Sequence, residues 1–205
     1  YIDNTNNSGS LSFRIGSSYT VGLFIDSSAN VSIPSKLMHH GDTDTFLEFN
    51  SNTINFDTAG SERLRIDSDG KLLQGVTSGV PVCSTANARM QVHNNASVLT
   101  ASFTGYGAHS GGSIIALGKS RSNTIGDATG AVSNGDTLGD IRFGGSDGTD
   151  METVACAIRG EVDGSVSSNT IPGRLVFSIN GTQQMRITSA GQFRALVPSI
   201  GAMNP

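Results

Sequence analysis

The chain has 205 residues, of which 36% are hydrophobic and 15% charged, with 26 glycines, no tryptophan and a formal charge of −4. Such a thin apolar supply, with so much glycine to order, leaves a lone chain short of burial to set against its conformational entropy. The acidic balance lacks the basic footprint that phosphate-backbone binding needs, which excludes nucleic acid as a partner, and no apolar run approaches the ~20 residues of a membrane span, so no membrane insertion is expected.

From the N-terminus, the stretch Tyr1 to Asn7 is not a signal peptide, and the first residue is not Met; a processed or excised part of something longer is expected. Leu11, Phe13 and Ile15 alternate with Ser12 and Arg14, the period of a half-buried strand. Leu23-Phe24-Ile25-Asp26-Ser27-Ser28-Ala29-Asn30-Val31 is a weak copy of a pattern met again 41 residues on, at Ile66, with Ala29 where the later copies carry glycine. His39-His40-Gly41-Asp42 reads as a solvated loop. Adjacent residues of extended chain point to opposite faces, so only one of these histidines could meet a threefold axis. Asp42 and Asp44 lack full calcium-loop spacing, and neither metal nor cofactor is expected.

The segment Gly60-Ser61-Glu62-Arg63-Leu64-Arg65-Ile66-Asp67-Ser68-Asp69-Gly70-Lys71 returns as Gly181-Thr182-Gln183-Gln184-Met185-Arg186-Ile187-Thr188-Ser189-Ala190-Gly191-Gln192. The offset is 121 residues, and the same offset carries Ile54-Asn55-Phe56 onto Leu175-Val176-Phe177. Each copy is predicted as strand, turn, strand, turn and new strand, so the chain reads as an array of short β-units. This regular alternation of Leu, Ile, Val and Phe argues against disorder as the cause of the Gly, Ser and Asn content.

Between the copies, Thr77-Ser78-Gly79-Val80-Pro81 reads as a boundary. Thr85 to Val92 is the nearest approach to an amphipathic helix, though Met90 to Val92 fits a strand equally well. Cys83 and Cys156 are too few and too far apart for a disulfide framework or a zinc site, and Cys156 reads as a small hydrophobe on the face of Val154 and Ile158. His93 reads as structural. Thr104 to Gly112 sets Tyr106 and His109 among glycines; amphipathic rings on such a loop suit a receptor, so these two are the candidate receptor-binding residues, a plain turn being the alternative. Further strands are predicted at Ile141 to Phe143, Val154 to Ile158, Leu175 to Ile179 and Met185 to Ile187. Asn134-Gly135-Asp136, Asp147-Gly148, Asp163-Gly164 and Asn180-Gly181 supply turns. Ala195 to Pro205 trails off, with two prolines against regular strand.

Three nucleotide-like or catalytic patterns fail on context. Gly112 to Ser120 ends in Gly118-Lys119-Ser120, but Ile114-Ile115-Ala116-Leu117 is strand-like where a phosphate cradle needs flexible amides opening a helix. Gly144-Gly145-Ser146-Asp147-Gly148 has nucleophile-elbow spacing in a strand-to-strand setting, which a hairpin turn explains. Glu152, Glu161 and Asp163, or Asp42, Asp44 and Glu48, would be the carboxylates of a polysaccharide hydrolase, yet most sit beside turns where Asp serves its own backbone.

The expected organisation is 1–79 as tandem small β-units, 80–172 as a larger Gly-rich β module, and 173–205 as a terminal β-unit with a tail. The fold class is all-β, with short-strand units repeated along a fibre in an intertwined homotrimer. Threefold symmetry lets each unit supply a third of a core, and it covers apolar faces that would otherwise aggregate. Leu64, Ile66, Met185 and Ile187 are the expected trimer core, while Arg65 and Arg186 face solvent or acids of a neighbour.

Several blocks resemble the distal part of bacteriophage tail fibres, especially of phages infecting marine bacteria. They are Phe56 to Lys71, Gly135 to Thr149, Ala157 to Gly164 and Pro172 to Gly191, and the resemblance covers about 54–75 and 85–194. It implies a β-rich homotrimer on the virion, in contact with other tail or baseplate proteins and with a host surface glycan or protein. Related fibres end their repeats in an aliphatic-Gly-Ile-Gly run and continue into a self-cleaving chaperone. Here Leu72-Leu73-Gln74-Gly75 and Phe193-Arg194-Ala195-Leu196 replace that run, so a chaperone is expected to be cleaved, left out or never present. The resulting expectation is a non-enzymatic fibre segment serving adhesion, the alternatives being a tailspike-like depolymerase or a capsid or baseplate decoration or connector.

Overall fold

The computed structural model describes residues 2–3, 10–18, 20–95 and 99–196. They form fifteen strands in three sheets, with no helix among them. The chain divides into two units, Tyr1–Val80 with Ala88–Thr100, and Pro81–Asn87 with Ala101–Pro205.

The first unit holds two sheets. Strands β1 (Ile2–Asp3), β2 (Leu11–Ile15), β3 (Thr20–Ile25) and β4 (Val31–Ser32) form an antiparallel meander. Six more follow: β5 (Lys36–Met38), β6 (Phe46–Asn50), β7 (Thr53–Thr58), β8 (Ser61–Ile66), β9 (Leu72–Gln74) and β10 (Met90–Val92), which lie side by side in reverse chain order. Met90 to Val92 therefore takes the strand alternative, pairing parallel to β9. Parallel neighbours need a crossover, and residues 75–89 provide it.

The second unit is built on one antiparallel sheet of β11 (Thr137–Gly144), β12 (Val154–Val162), β13 (Gly173–Ile179), β14 (Thr182–Ile187) and β15 (Phe193–Ala195). β12 and β13 pair from Cys156↔Ile179 to Val162↔Gly173, across the division expected at 172, so the C-terminal unit shares its sheet with the preceding module. Residues 101–136 contain no strand. The strand-like reading of Ile114 to Leu117 does not hold: no backbone-to-backbone hydrogen bond joins 101–119 to another described residue, and β-propensity without a partner edge gives no sheet. The tail beyond 196 lies outside the described residues.

The two sequence copies adopt the same pairing. Ile54 faces Ile66 and Phe56 faces Leu64; 121 residues on, Leu175 faces Ile187 and Phe177 faces Met185. The register breaks at Phe56/Asp57 in one and at Phe177/Ser178 in the other. Ala59-Gly60 and Asn180-Gly181 both have positive φ at the two central residues (50° and 67°, 47° and 72°), as a type I′ hairpin requires. After the second strand, Gly70 N–H donates to Asp67 O and Gly191 N–H to Thr188 O.

The early copy closes in the same way, with Ala29 N–H donating to Asp26 O at 3.0 Å. Ala29 holds φ 63° where Gly70 and Gly191 hold 73° and 74°. The left-handed region costs a residue with Cβ about 1–2 kcal/mol, part of which glycine gives back through unfolded-state entropy. Ala29→Gly is expected to stabilise the first unit by about 0.5–1 kcal/mol, and denaturant titration against Gly70→Ala, which should destabilise it, checks the sign.

Few of the described side chains are deeply buried: Asn55, Leu73, Gln91, Ala157 and Val176 lie on the polar faces of the two long sheets, Val162 ends β12 in register with Gly173, and Cys83, Val132 and Asp136 lie in loops. Leu73 is fully buried in a row of register partners running Asn55, Arg65, Leu73 and Gln91. The crossover covers it: Val80 N–H donates to Gln91 Oε1 at 3.0 Å and Arg65 Nη1 to Thr77 O at 3.1 Å. Asn55 is buried in the same row with its Oδ1 unpartnered, whereas the second copy has Val176 there. An unsatisfied buried acceptor costs more than an apolar group of similar shape. Asn55→Val is therefore expected to gain about 1 kcal/mol in chemical denaturation, and a loss would reveal a partner for the amide.

Candidate interaction surfaces

Alternation places the apolar residues of each long sheet on one face, and that face is open. In the second unit, Ile141, Ile158, Phe177 and Met185 form one row and Leu175, Ile187 and Phe193 the next. Phe193 is 65% exposed and Ile179 55%. In the first unit, Leu37, Leu47, Phe56 and Leu64 form a row beside Phe49, Ile54, Ile66, Leu72 and Met90. Leu37 is 62% exposed and Met90 64%. The four residues expected in the trimer core, Leu64, Ile66, Met185 and Ile187, all lie on these faces, partly exposed in the single chain.

The opposite face of the second sheet is charged and internally neutralised along most of its width. Asp140 Oδ2 accepts from Arg142 Nε at 2.9 Å and from Arg159 Nη2 at 3.2 Å. Arg174 then bridges two acids, donating from Nε to Glu161 Oε2 at 2.8 Å and from Nη1 to Asp163 Oδ1 at 3.0 Å. The Ser189 N–H donates to Asp163 Oδ2 at 2.9 Å. That bond, with help from the Ser189 hydroxyl and Arg174, holds the Asp163 carboxyl below the usual carboxylate range. This chain of charges is legible in the sequence only as acids and arginines two apart along β12, because the register that joins them is tertiary.

Glu161 and Asp163, candidates for a hydrolytic pair, are thus brought together around the Arg174 guanidinium. Glu152 stays apart, its N–H donating to Asp150. Asp42 and Asp44 adjoin on an exposed loop, where the Asp44 N–H donates to Asp42 Oδ1 at 3.1 Å. Asp44 is raised by its contact with Asp42, and Asp42 is lowered mainly by the Asp44 N–H. His39 and His40 are exposed at the same loop, and no group of three metal-ligating side chains occurs among the described residues.

Lys119, of the phosphate-loop-like segment, is spent on Asp136 at 3.4 Å, as is Arg121 at 2.7 Å. Those partners and the Ser133 N–H drive the Asp136 carboxyl strongly down. Residues 145–153 join β11 to β12, and Asp147 Oδ1 accepts from the N–H groups of Thr149 and Asp150, so the elbow-like pattern is a turn between strands. Both cysteines are free thiols: Cys83 is buried and Cys156 half-buried. Cys156 faces Phe143 and Ile179 on the open apolar sheet.

Tyr106 and His109 lie in the irregular segment 101–119. Tyr106 is 95% exposed, and the His109 ring folds back locally, its Nδ1 accepting from Gly111 N–H at 3.1 Å. No wall of other side chains is built around either ring. His93 lies at the end of β10, its Nε2 3.1 Å from Gln91 Oε1, in a cleft of about 570 Å³ with Glu62, Arg63, Gln74 and Gly75.

No known protein-family profile matches the chain, and no curated protein sequence matches it. Among solved structures it is similar to the carboxy-terminal domain of the bacteriophage T5 L-shaped tail fibre. The superposition covers 93% of this chain and 79% of that one, with a TM-score of 0.51 at 13% sequence identity. At that identity the likeness concerns the fold.

Proposed function

We propose that this chain is a segment of a phage virion fibre, built of repeated β-units, that assembles as an intertwined homotrimer and serves host adhesion without catalysing a reaction. The open apolar faces carry this reading. Five-stranded and six-stranded sheets with one bare aliphatic and aromatic face are aggregation-prone as monomers, and a second and third copy about an axis cover them with the same chemistry. The segment 101–119 favours intertwining rather than simple side-by-side contact. It exposes Phe103, Ile114, Ile115 and Leu117 and makes no backbone-to-backbone hydrogen bond with another described residue, so a neighbouring copy offers both a sheet edge and an apolar face. The fold likeness to a tail-fibre domain points the same way.

Adhesion follows from position on a virion, where three linked copies turn weak sites into avidity. Two experiments test the reading. Light scattering of the purified protein is expected to give three times the chain mass, and gold-labelled antibody against it is expected to mark the tail of the particle. A folded monomer would overturn the assembly, label on the capsid would favour the decoration alternative, and sugar release from host envelope glycans would favour the depolymerase.

A further inference from the structure

The two copies of the hairpin differ at one cluster of equivalent positions. In the first, Arg65 is the register partner of Leu73, and Glu62 accepts from its Nε at 2.9 Å and its Nη2 at 2.6 Å. In the second, the same offset puts Arg186 at the place of Arg65, Arg194 at the place of Leu73 and Gln183 at the place of Glu62. Arg186 and Arg194 are themselves register partners across β14 and β15. One acid has been lost and one base gained.

No carboxylate among the described residues compensates. Among the described residues Arg186 has no carboxylate partner, and Arg194 donates only to Gln192 Oε1, at 2.8 Å. The other arginines of this face, Arg142, Arg159 and Arg174, are matched to Asp140, Glu161 and Asp163. The face therefore carries two uncompensated positive charges on a chain of formal charge −4. Like charges on directly paired strand residues are destabilising, and an oxyanion between two guanidiniums removes that cost through charge-assisted hydrogen bonds.

We infer that Arg186 and Arg194 form a binding site for the oxyanion of an acidic polysaccharide, a uronate carboxylate or a sulfate ester. The inference rests on the adhesive role proposed above and names the chemistry of its partner. A neutral amide adjoins Arg194 at Gln192, and Gln183 takes the sequence place of Glu62; such amides suit sugar hydroxyls. Two charges beside such amides match a polymer with one charge per sugar, whereas a nucleic-acid backbone draws on many more cationic contacts.

The test is binding of the assembled full chain to polygalacturonate, dextran sulfate, neutral dextran and duplex DNA by interferometry at low and high salt. Wild-type protein is expected to hold one or both acidic polysaccharides, more weakly at high salt, and to ignore dextran. Arg186→Gln with Arg194→Leu is expected to weaken binding ten-fold or more. Gln183→Glu, which restores the carboxylate of the first copy and leaves both arginines in place, is expected to do the same. Retention of polygalacturonate alone assigns the carboxylate, and of dextran sulfate alone the ester. Light scattering and thermal melting confirm that the variants assemble. Wild-type failure on both acidic polymers overturns the inference, as does undiminished binding by assembled Gln183→Glu or tighter binding to DNA. Adsorption of the same wild-type protein to host cells separates these failures from failure of the adhesive role.

Discussion

Ile187→Asp is expected to leave no species of three times the chain mass in light scattering, and Leu64→Asp the same in the first unit. Ile187 sits between Leu175 and Phe193 in the register of the open face, and Leu64 between Phe56 and Gln74. In the single chain both are partly exposed, so a carboxylate there costs an isolated protomer little. In a trimer each substitution places three carboxylates against apolar surface around one axis, without cationic partners. An uncompensated buried charge costs several kcal/mol, and symmetry repeats that cost in every copy. Ser178→Asp is the control: Ser178 shares a row with Ala157 and Gln183 on the charged face and should leave the mass unchanged. A trimer of Ile187→Asp would sink the proposed assembly.

The second large effect is expected at Leu73→Ala, with a loss of about 2–5 kcal/mol in denaturant unfolding of the first unit. Leu73 is one of two large side chains among the described residues with no solvent exposure, the other being Val162. It is buried by its own unit, under the crossover tied to Gln91 and Arg65, so its removal leaves a cavity that the short β9 and β10 cannot close. Leu37→Ala, on the open face, should cost far less in any state where that face stays exposed and more in the trimer. A small effect at Leu73 would mean that the 77–80 segment leaves the sheet readily in solution.

How much of this could be read in advance differs by element. The strands at 11–15, 54–56, 64–66, 141–143, 154–158, 175–179 and 185–187 follow from period two and flanking turn residues, because strand faces and hairpin turns are local properties. Repetition at a fixed offset put Ile54, Phe56, Leu64 and Ile66 in correspondence with Leu175, Phe177, Met185 and Ile187 before any coordinate, and pairing follows that correspondence. Ala59 was less legible: it adopts positive φ in a place usually given to Asn, held there by the hairpin that Gly60 completes. Ile114 to Leu117 misled, since Ile114, Ile115 and Leu117 have strand propensity but pair with no edge among the described residues. The ion-pair ladder from Asp140 to Asp163 was also invisible, because Arg174 and Glu161 meet only through the register of β12 with β13.

Sequence by itself determined that the protein is all-β, which side of each strand is apolar, and where the same unit recurs, since each depends on residues a few positions apart. Tertiary structure alone decided that the apolar sides lie open while the crossover and the guanidinium ladder close over the polar sides. It also decided that Arg186 and Arg194 stand face to face without an acid among the described residues. Those outcomes depend on which strands become neighbours, and strand neighbourhood is fixed by hydrogen-bond register between segments far apart in the chain rather than by any residue's own preference.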